Sequence, residues 1–248
     1  MSEQARIVII GGGIAGCATL YHLAEMGCSD VLLLERDELT SGSTWHAAGN
    51  VPTYSGSWSV MKVQAYSAQL YRQLAADPEF PISYHVTGSV RLAHSRERMA
   101  EFLHVTSMAN ANGMGYDVLT PEQLVERYPL VETHDLVGAL WDPLDGDIDP
   151  SQVTQALARA ARAKGARVRR FERVVGLVQH PNHSWTVTSR TNDGTEHVID
   201  CEIVVNAAGY RAGEVMALLG RHLPIAQMSH QYLVTEEIPA LAALPHKL

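Results

Sequence analysis

Two hundred and forty-eight residues, 46% hydrophobic and 19% charged, suffice to bury a substantial core in one or two domains and give no sign of disorder. A net charge of −8 disfavours a nucleic-acid partner, because phosphate binding needs clustered Lys and Arg; the one local cluster, Arg167, Arg169, Arg170 and Arg173, is expected to form a solvated face. Cys17, Cys28 and Cys201 are far apart and read as buried thiols in a reducing compartment. No Cys/His spacing calls for a metal and no apolar run reaches membrane-spanning length, so the expected location is the cytoplasm, away from membranes.

Arg6 to Ile10 is a short apolar run that reads as a buried strand. Gly11-Gly12-Gly13-Ile14-Ala15-Gly16 follows, with glycines at the first, third and sixth places. In such a fingerprint Gly11 permits the tight turn, Gly13 lets bare backbone approach a pyrophosphate, and Gly16 lets the next helix pack close to the sheet. Ile14, Cys17, Ala18, Tyr21 and Leu23 to Ala24 fall near helical spacing until Gly27. Val31 to Leu34 is a second apolar run and ends in Glu35, nineteen positions after Gly16, where a carboxylate reaches ribose hydroxyls. Strand, glycine turn, helix, strand and acid in this order indicate a dinucleotide site. The plainer alternative is an ordinary βαβ unit with a surface glutamate.

Residues 41 to 59 are rich in Ser, Gly and Thr and read as loop. Val60 to Ala76 reads as a helix with Val60, Val63, Ser67, Leu70 and Leu74 as its buried stripe, ended by Asp77-Pro78. Tyr84 to Leu92 reads as a strand, Arg96 to Ala111 as a helix closed by Gly113 and Gly115, and Thr120-Pro121 as a capped helix start, that helix ending near Pro129. Val137 to Trp141 is expected as a strand and Asp142 to Pro150 as a turn. The next helix starts at Asp149-Pro150, buries Val153, Ala156, Leu157, Ala160 and Ala161, and stops at Gly165. Arg167 to Val178, Trp185 to Arg190, Thr195 to Asp200 and Ile203 to Val205 read as strands, with turns at Pro181-Asn182-His183 and Asn192-Asp193-Gly194. Ile225 to Val234 reads as a further strand.

Ser43-Thr44-Trp45-His46, Asp145-Gly146-Asp147-Ile148-Asp149-Pro150, Val205-Asn206-Ala207-Ala208-Gly209 and His230-Gln231-Tyr232 add to the glycine fingerprint and Glu35-Arg36. With these segments the whole sequence resembles the dimethylglycine and sarcosine dehydrogenase family of FAD-dependent amine oxidoreductases, within the wider group related to D-amino-acid oxidase. Only Trp45-His46 and His230-Gln231-Tyr232 are specific to the subgroup. The resemblance implies an α/β fold in which a Rossmann-like FAD-binding domain (1–82 and 142–222) is interrupted by a mixed-sheet substrate domain (83–141 and 223–248). Family chains continue beyond this length with a last nucleotide-domain strand, so the chain is expected to be truncated at its C-terminus.

The resemblance also implies site residues. Gly11, Gly13, Ile14, Ala15 and Gly16 would meet the pyrophosphate, and Glu35 and Arg36 the adenosine half. Gly42, Ser43, Thr44, Trp45, His46, Ala47, Ala48, Gly49 and Asn50 would wrap the flavin. Val174 would offer main-chain groups to the adenine edge, and Ala208 and Gly209 would pass beside the pyrophosphate. His46 would be joined covalently to the flavin 8α-methyl group, holding FAD and raising its potential; a histidine that merely hydrogen-bonds in a polar loop is the alternative. His230 and Tyr232, on one face of the expected strand, would serve acid–base or substrate-positioning roles, or simply pack. Tyr54 and Trp58 either wall the pocket or are structural aromatics. The implied activity is oxidative N-demethylation of a small N-methyl amino acid, dimethylglycine or sarcosine, by hydride transfer to flavin N5, with oxygen or an electron-transfer protein as acceptor. Two rivals stand beside it: a catalytically silent fragment that needs more chain or a partner chain, and an amine oxidase with non-covalent FAD.

Overall fold

The computed structural model describes residues 3–243. Residues 1–2 and 244–248 of the expected domain ranges lie outside the described residues. The chain divides into two compact units: one from 1–48, 78–82 and 149–231, the other from 49–77, 83–148 and 232–248.

In the first unit, four parallel strands lie in the spatial order Arg167–Arg169, Val31–Leu34, Ile7–Ile10, Ile203–Asn206. Numbered along the chain within this sheet, the order is 3-2-1-4, so its direction reverses beside Ile7–Ile10, and the crevice at such a reversal is where dinucleotides bind. Ile7–Ile10 and Val31–Leu34 are buried throughout, as strands covered on both faces must be. Helix Ile14–Glu25 buries Gly16, Cys17, Leu20 and Ala24 and packs on helix Pro150–Ala163. The latter buries all five residues expected on its face, and Asp149 caps it by accepting from the N–H groups of Ser151 and Gln152. A second sheet, Glu172–Gln179, Trp185–Thr191 and Glu196–Cys201, is an antiparallel ribbon joined in parallel by Glu3–Gln4, a strand too short for periodicity to announce. Val8, Ile10, Leu32 and Leu34 share one core cluster with Leu177, Val187 and Ile199 of this ribbon.

The second unit carries two three-stranded antiparallel sheets. One is Asn50–Val51, Gly146–Ile148 and Tyr84–His85; the other is Ser89–Ala93, Gly138–Asp142 and Asp117–Leu119. Helices Trp58–Ala76 and Arg96–Asn110 bring Met61, Phe102 and Val105 against Leu140. Helix Pro121–Arg127 has the expected cap: Thr120 accepts from the Gln123 N–H while the Gln123 side chain accepts from the Thr120 N–H.

Several sequence expectations are corrected. Tyr84 to Leu92 is two strands in different sheets, broken at Gly88, whose φ of +72° cannot continue a strand and whose missing Cβ makes room for the Trp141 ring. Arg167 to Val178 is likewise two strands, parted at Phe171 with φ +58°. The stripe of helix Trp58–Ala76 is rotated: Met61, Ala68, Leu70 and Leu74 are buried, while Val60 and Val63 are exposed, because Met61 enters the cluster around Phe102. Short strands stand inside the expected loop at Asn50–Val51 and the expected turn at Gly146–Ile148, formed by pairing with each other. Ile225 to Val234 has no regular secondary structure and is exposed. Cys17 and Cys201 are buried but Cys28 is only half-buried. The four clustered arginines are ion-paired: Arg167 and Arg169 with Glu3, Arg170 with Glu38 and Arg173 with Glu214. No described helix is long and apolar enough to cross a membrane.

Asp145 is buried, accepting from Ser89 Oγ at 2.6 Å and the Gly146 N–H at 2.8 Å. Burial raises its pKa, against the opposing pull of those hydrogen bonds. The folded chain therefore holds this proton to a higher pH than the unfolded chain. The resulting stability is full below the unfolded value of about 3.9 and is lost as pH rises through the folded value. Asp145→Asn is expected to flatten the fall in urea stability from about pH 4 upward; an unchanged slope would show that the fall originates elsewhere.

Candidate functional site

The glycine turn is built by close approach. A Cβ on Gly16 would stand 1.9 Å from the Gly11 carbonyl oxygen, and one on Gly11, at φ +113°, would stand 2.4 Å from the Ala207 carbonyl oxygen. Gly→Ala in a helix ordinarily gains about 1 kcal/mol, but here the obstacle is backbone, which cannot swing aside, so sterics decide. Gly16 thus lets the helix lie against the backbone at the end of strand Ile7–Ile10, the close packing expected of it. Gly13 takes the N-cap position without a side-chain cap of its own, and Thr44 supplies one: the Ile14 N–H donates to Thr44 Oγ1 at 3.0 Å. In this structure that N–H is therefore engaged by the protein.

Glu35 is buried and doubly held. Its Oε2 accepts from the Gly12 N–H at 2.6 Å and its Oε1 from the Asp37 N–H at 2.8 Å. Each oxygen keeps a lone pair for a further donor. Beneath the loop, burial, assisted by the Glu35 charge, pushes the Cys17 thiol up to about 12, so it stays a neutral packing group. Arg36 is only half-buried and pairs with Asp37 at 2.9 Å.

At the C-terminal ends of Ile7–Ile10 and Val31–Leu34 lies a cleft of about 100 Å³. Five of the expected cofactor residues line it together: Gly11, Glu35, Arg36, Val174 and Ala208. Val174 opens a bulge: Val174 pairs with Ser189 and Gly176 with Thr188, leaving Val175 outside the ladder. A bulge frees main-chain groups that a regular strand would spend on its neighbour, which is what a main-chain contact to a ligand edge requires. Sequence reasoning missed Arg173, Arg211 and Glu214 on the same wall. Arg211 pairs with Glu214 at 2.7 Å, and neither follows a motif that could have announced it.

The segment after the second strand folds as a turn. Ser43, Trp45, His46, Ala47 and Ala48 are exposed, Gly42 is half-buried, and Thr44 is buried. His46 Nδ1 lies 3.0 Å from the Gly42 carbonyl oxygen, which can only accept, so Nδ1 is the donor, and in the neutral imidazole the lone pair is then on Nε2. The Trp45 ring lies against the imidazole, centroids 3.8 Å apart. Gly49 and Asn50 belong to the other unit, where Gly49 at φ +83° lets the Ile148 carbonyl approach. Gly209, at φ +57°, opens a single 3₁₀ turn. His230 and Tyr232 are exposed on an irregular stretch, so the shared strand face expected of them is absent. Trp58 and Tyr54 pack on the Phe102 cluster, as structural aromatics do.

Residues 6–247 match the family described as DAO, FAD dependent oxidoreductase. Among curated relatives, mitochondrial dimethylglycine dehydrogenase of Rattus norvegicus is 37% identical over 246 residues, covering 99% of this chain and 28% of the relative. Mitochondrial sarcosine dehydrogenase of Homo sapiens is 36% identical over 252 residues, covering 99% and 27%. The chain thus spans little more than a quarter of the length of either. Among solved structures, L-proline dehydrogenase from P. horikoshii superposes with a TM-score of 0.77 at 29% identity, over 89% of this chain and 57% of that one. With the family match spanning residues 6–247 and relatives above 30% identity over nearly the whole chain, the chain belongs to the DAO family of FAD-dependent oxidoreductases.

Proposed function

We propose that this chain supplies the FAD-binding part of an enzyme that oxidises a small N-methyl amino acid, dimethylglycine or sarcosine. The observation that carries it is the cleft, where five positions chosen for a dinucleotide converge at the strand-order reversal. The relatives named for those two substrates supply the substrate class. The residues suit the cofactor: Glu35 presents two oriented oxygens for ribose hydroxyls, and the bulge beside Val174 leaves main chain outside the ladder for a purine edge.

When bound, FAD would supply the two-electron oxidation of the substrate's N-methyl carbon, and hydrolysis of the resulting iminium ion would give formaldehyde and the demethylated amine. The protein's work is to hold and orient. His46 is assigned as the tether, with Nε2 as its nucleophilic nitrogen. His46 would hold the group through a bond from Nε2 to the 8α carbon, whose formation would cost one proton from that carbon, one from the imidazole and two electrons, taken up by dioxygen as it is reduced to hydrogen peroxide. The substrate side rests on the likeness through His230-Gln231-Tyr232. The rival in which a further segment or partner chain completes the unit is favoured by one feature: Ile203–Asn206 is an outer strand of the parallel sheet among the described residues, with Ile203 45% exposed.

Chain produced with ample riboflavin is expected to stay yellow after acid precipitation, to give a flavin-bearing peptide at His46, and to oxidise dimethylglycine or sarcosine with an artificial electron acceptor. Flavin lost on denaturation favours non-covalent FAD, and tethered flavin without turnover favours the incomplete unit. His46→Ala should bind FAD reversibly. Adding Glu35→Gln in that background places an amide N–H₂ against an N–H donor, and FAD Kd, read by flavin fluorescence, is expected to rise about tenfold or more. An unchanged Kd would remove Glu35 from the site.

A further inference from the structure

We propose that Thr44 is the positioning residue that holds the His46 turn in register with the diphosphate-binding loop, so that the rate of tethering depends on it even when FAD saturates the site. The proposal rests on the tether assigned to His46 above. Thr44 is buried within a turn whose neighbours Ser43, Trp45 and His46 are exposed. Its hydroxyl oxygen accepts from the Ile14 N–H, thirty residues away in sequence, at the first turn of a twelve-residue helix that has no cap side chain of its own. The fit is close: a Cβ on Gly13 would stand 3.0 Å from Thr44 Oγ1, so glycine there admits the hydroxyl.

A second clip lies four residues earlier. The Thr40 N–H donates to the Gly12 carbonyl at 3.0 Å, with Thr40 in the left-handed region at φ +75°. Thr40 and Thr44 therefore grip the glycine loop on either side of Gly13. The turn between and beyond them is closed by Trp45 N–H to the Thr40 carbonyl at 3.3 Å and Ala47 N–H to the Thr44 carbonyl at 3.2 Å, and His46 Nδ1 donates back to Gly42. Moving Thr44 off Ile14 thus moves the backbone that carries the imidazole. The Thr44 hydroxyl proton has no hydrogen-bond acceptor among the described residues, so the group that accepts from Ile14 retains a donor for a diphosphate oxygen. One side chain then touches both the loop that grips the cofactor's phosphates and the turn that bonds its ring.

A side chain that only contacted the diphosphate would change the FAD concentration needed for tethering and leave its maximal rate alone; a positioning residue lowers the maximal rate. Apoprotein of the full chain is mixed with increasing FAD in air, and covalent flavin is followed by fluorescence after denaturation for wild type, Thr44→Val and Thr44→Ser. Amide hydrogen exchange of the peptide spanning 40–48 is measured in the same three proteins without FAD. Thr44→Val is expected to lower the saturating rate at least tenfold and to speed exchange in 40–48 while leaving the Ile7–Ile10 strand protected; Thr44→Ser should restore both within about threefold. A wild-type maximal rate, or unchanged exchange in 40–48, for Thr44→Val overturns the proposal. If wild type never becomes covalently flavinylated, the tether assignment itself falls, and the exchange result alone decides whether Thr44 orders the turn.

Discussion

The first unit is organised by a steric constraint at one point, where three stretches of main chain meet with no side chain between them. The Gly11 carbonyl occupies the space a Cβ at Gly16 would need, and the Ala207 carbonyl occupies the space a Cβ at Gly11 would need. The turn, the helix that leaves it and the strand that returns beside it can approach this closely only because those positions are glycine. Because Ile203–Asn206 pairs directly with Ile7–Ile10, the sheet reverses its order there, and the chain segments that would otherwise cover the strand ends diverge. The cleft is the consequence of that divergence.

Polar groups around this point are arranged so that few are left unpaired. Glu35 spends its two oxygens on backbone N–H groups of Gly12 and Asp37, while its own backbone accepts from the Glu172 N–H and donates to Arg169. A buried carboxylate without such donors would lose several kcal/mol to desolvation; with two in place it becomes a fixed acceptor pair facing the cleft. Thr44 plays the complementary part for the helix end, taking an N–H that Gly13 cannot cap. Both side chains thus tie the glycine turn to the segments that follow the second strand.

In the second unit a different device does comparable work. Asp142 is fully buried and accepts from Thr53 Oγ1 at 2.7 Å, Tyr116 Oη at 2.8 Å and the Leu144 N–H at 3.0 Å. Burial raises the Tyr116 pKa strongly, so its hydroxyl remains a donor. One carboxylate thereby ties the segment after Asn50–Val51, the strand Gly138–Asp142 and the stretch leading into Asp117–Leu119. It follows no motif, since Thr53, Tyr116 and Asp142 are scattered along the chain.

What the sequence by itself determined was whatever depends on near neighbours: Ile7–Ile10 and Val31–Leu34 as buried strands, the Gly11–Gly16 turn, Glu35 as its acid, the caps at Thr120 and Asp149, and the buried face of helix Pro150–Ala163. Apolar runs, missing Cβ atoms and capping oxygens act within a few residues, so spacing reveals them. The tertiary structure alone decided the breaks at Gly88 and Phe171, the rotated stripe at Met61, the absence of a strand over Ile225 to Val234, the bulge that frees main chain beside Val174, and the meeting of Thr44 with Ile14. Each of these is settled by a partner far away in sequence, and strand propensity carries no record of whether such a partner is there.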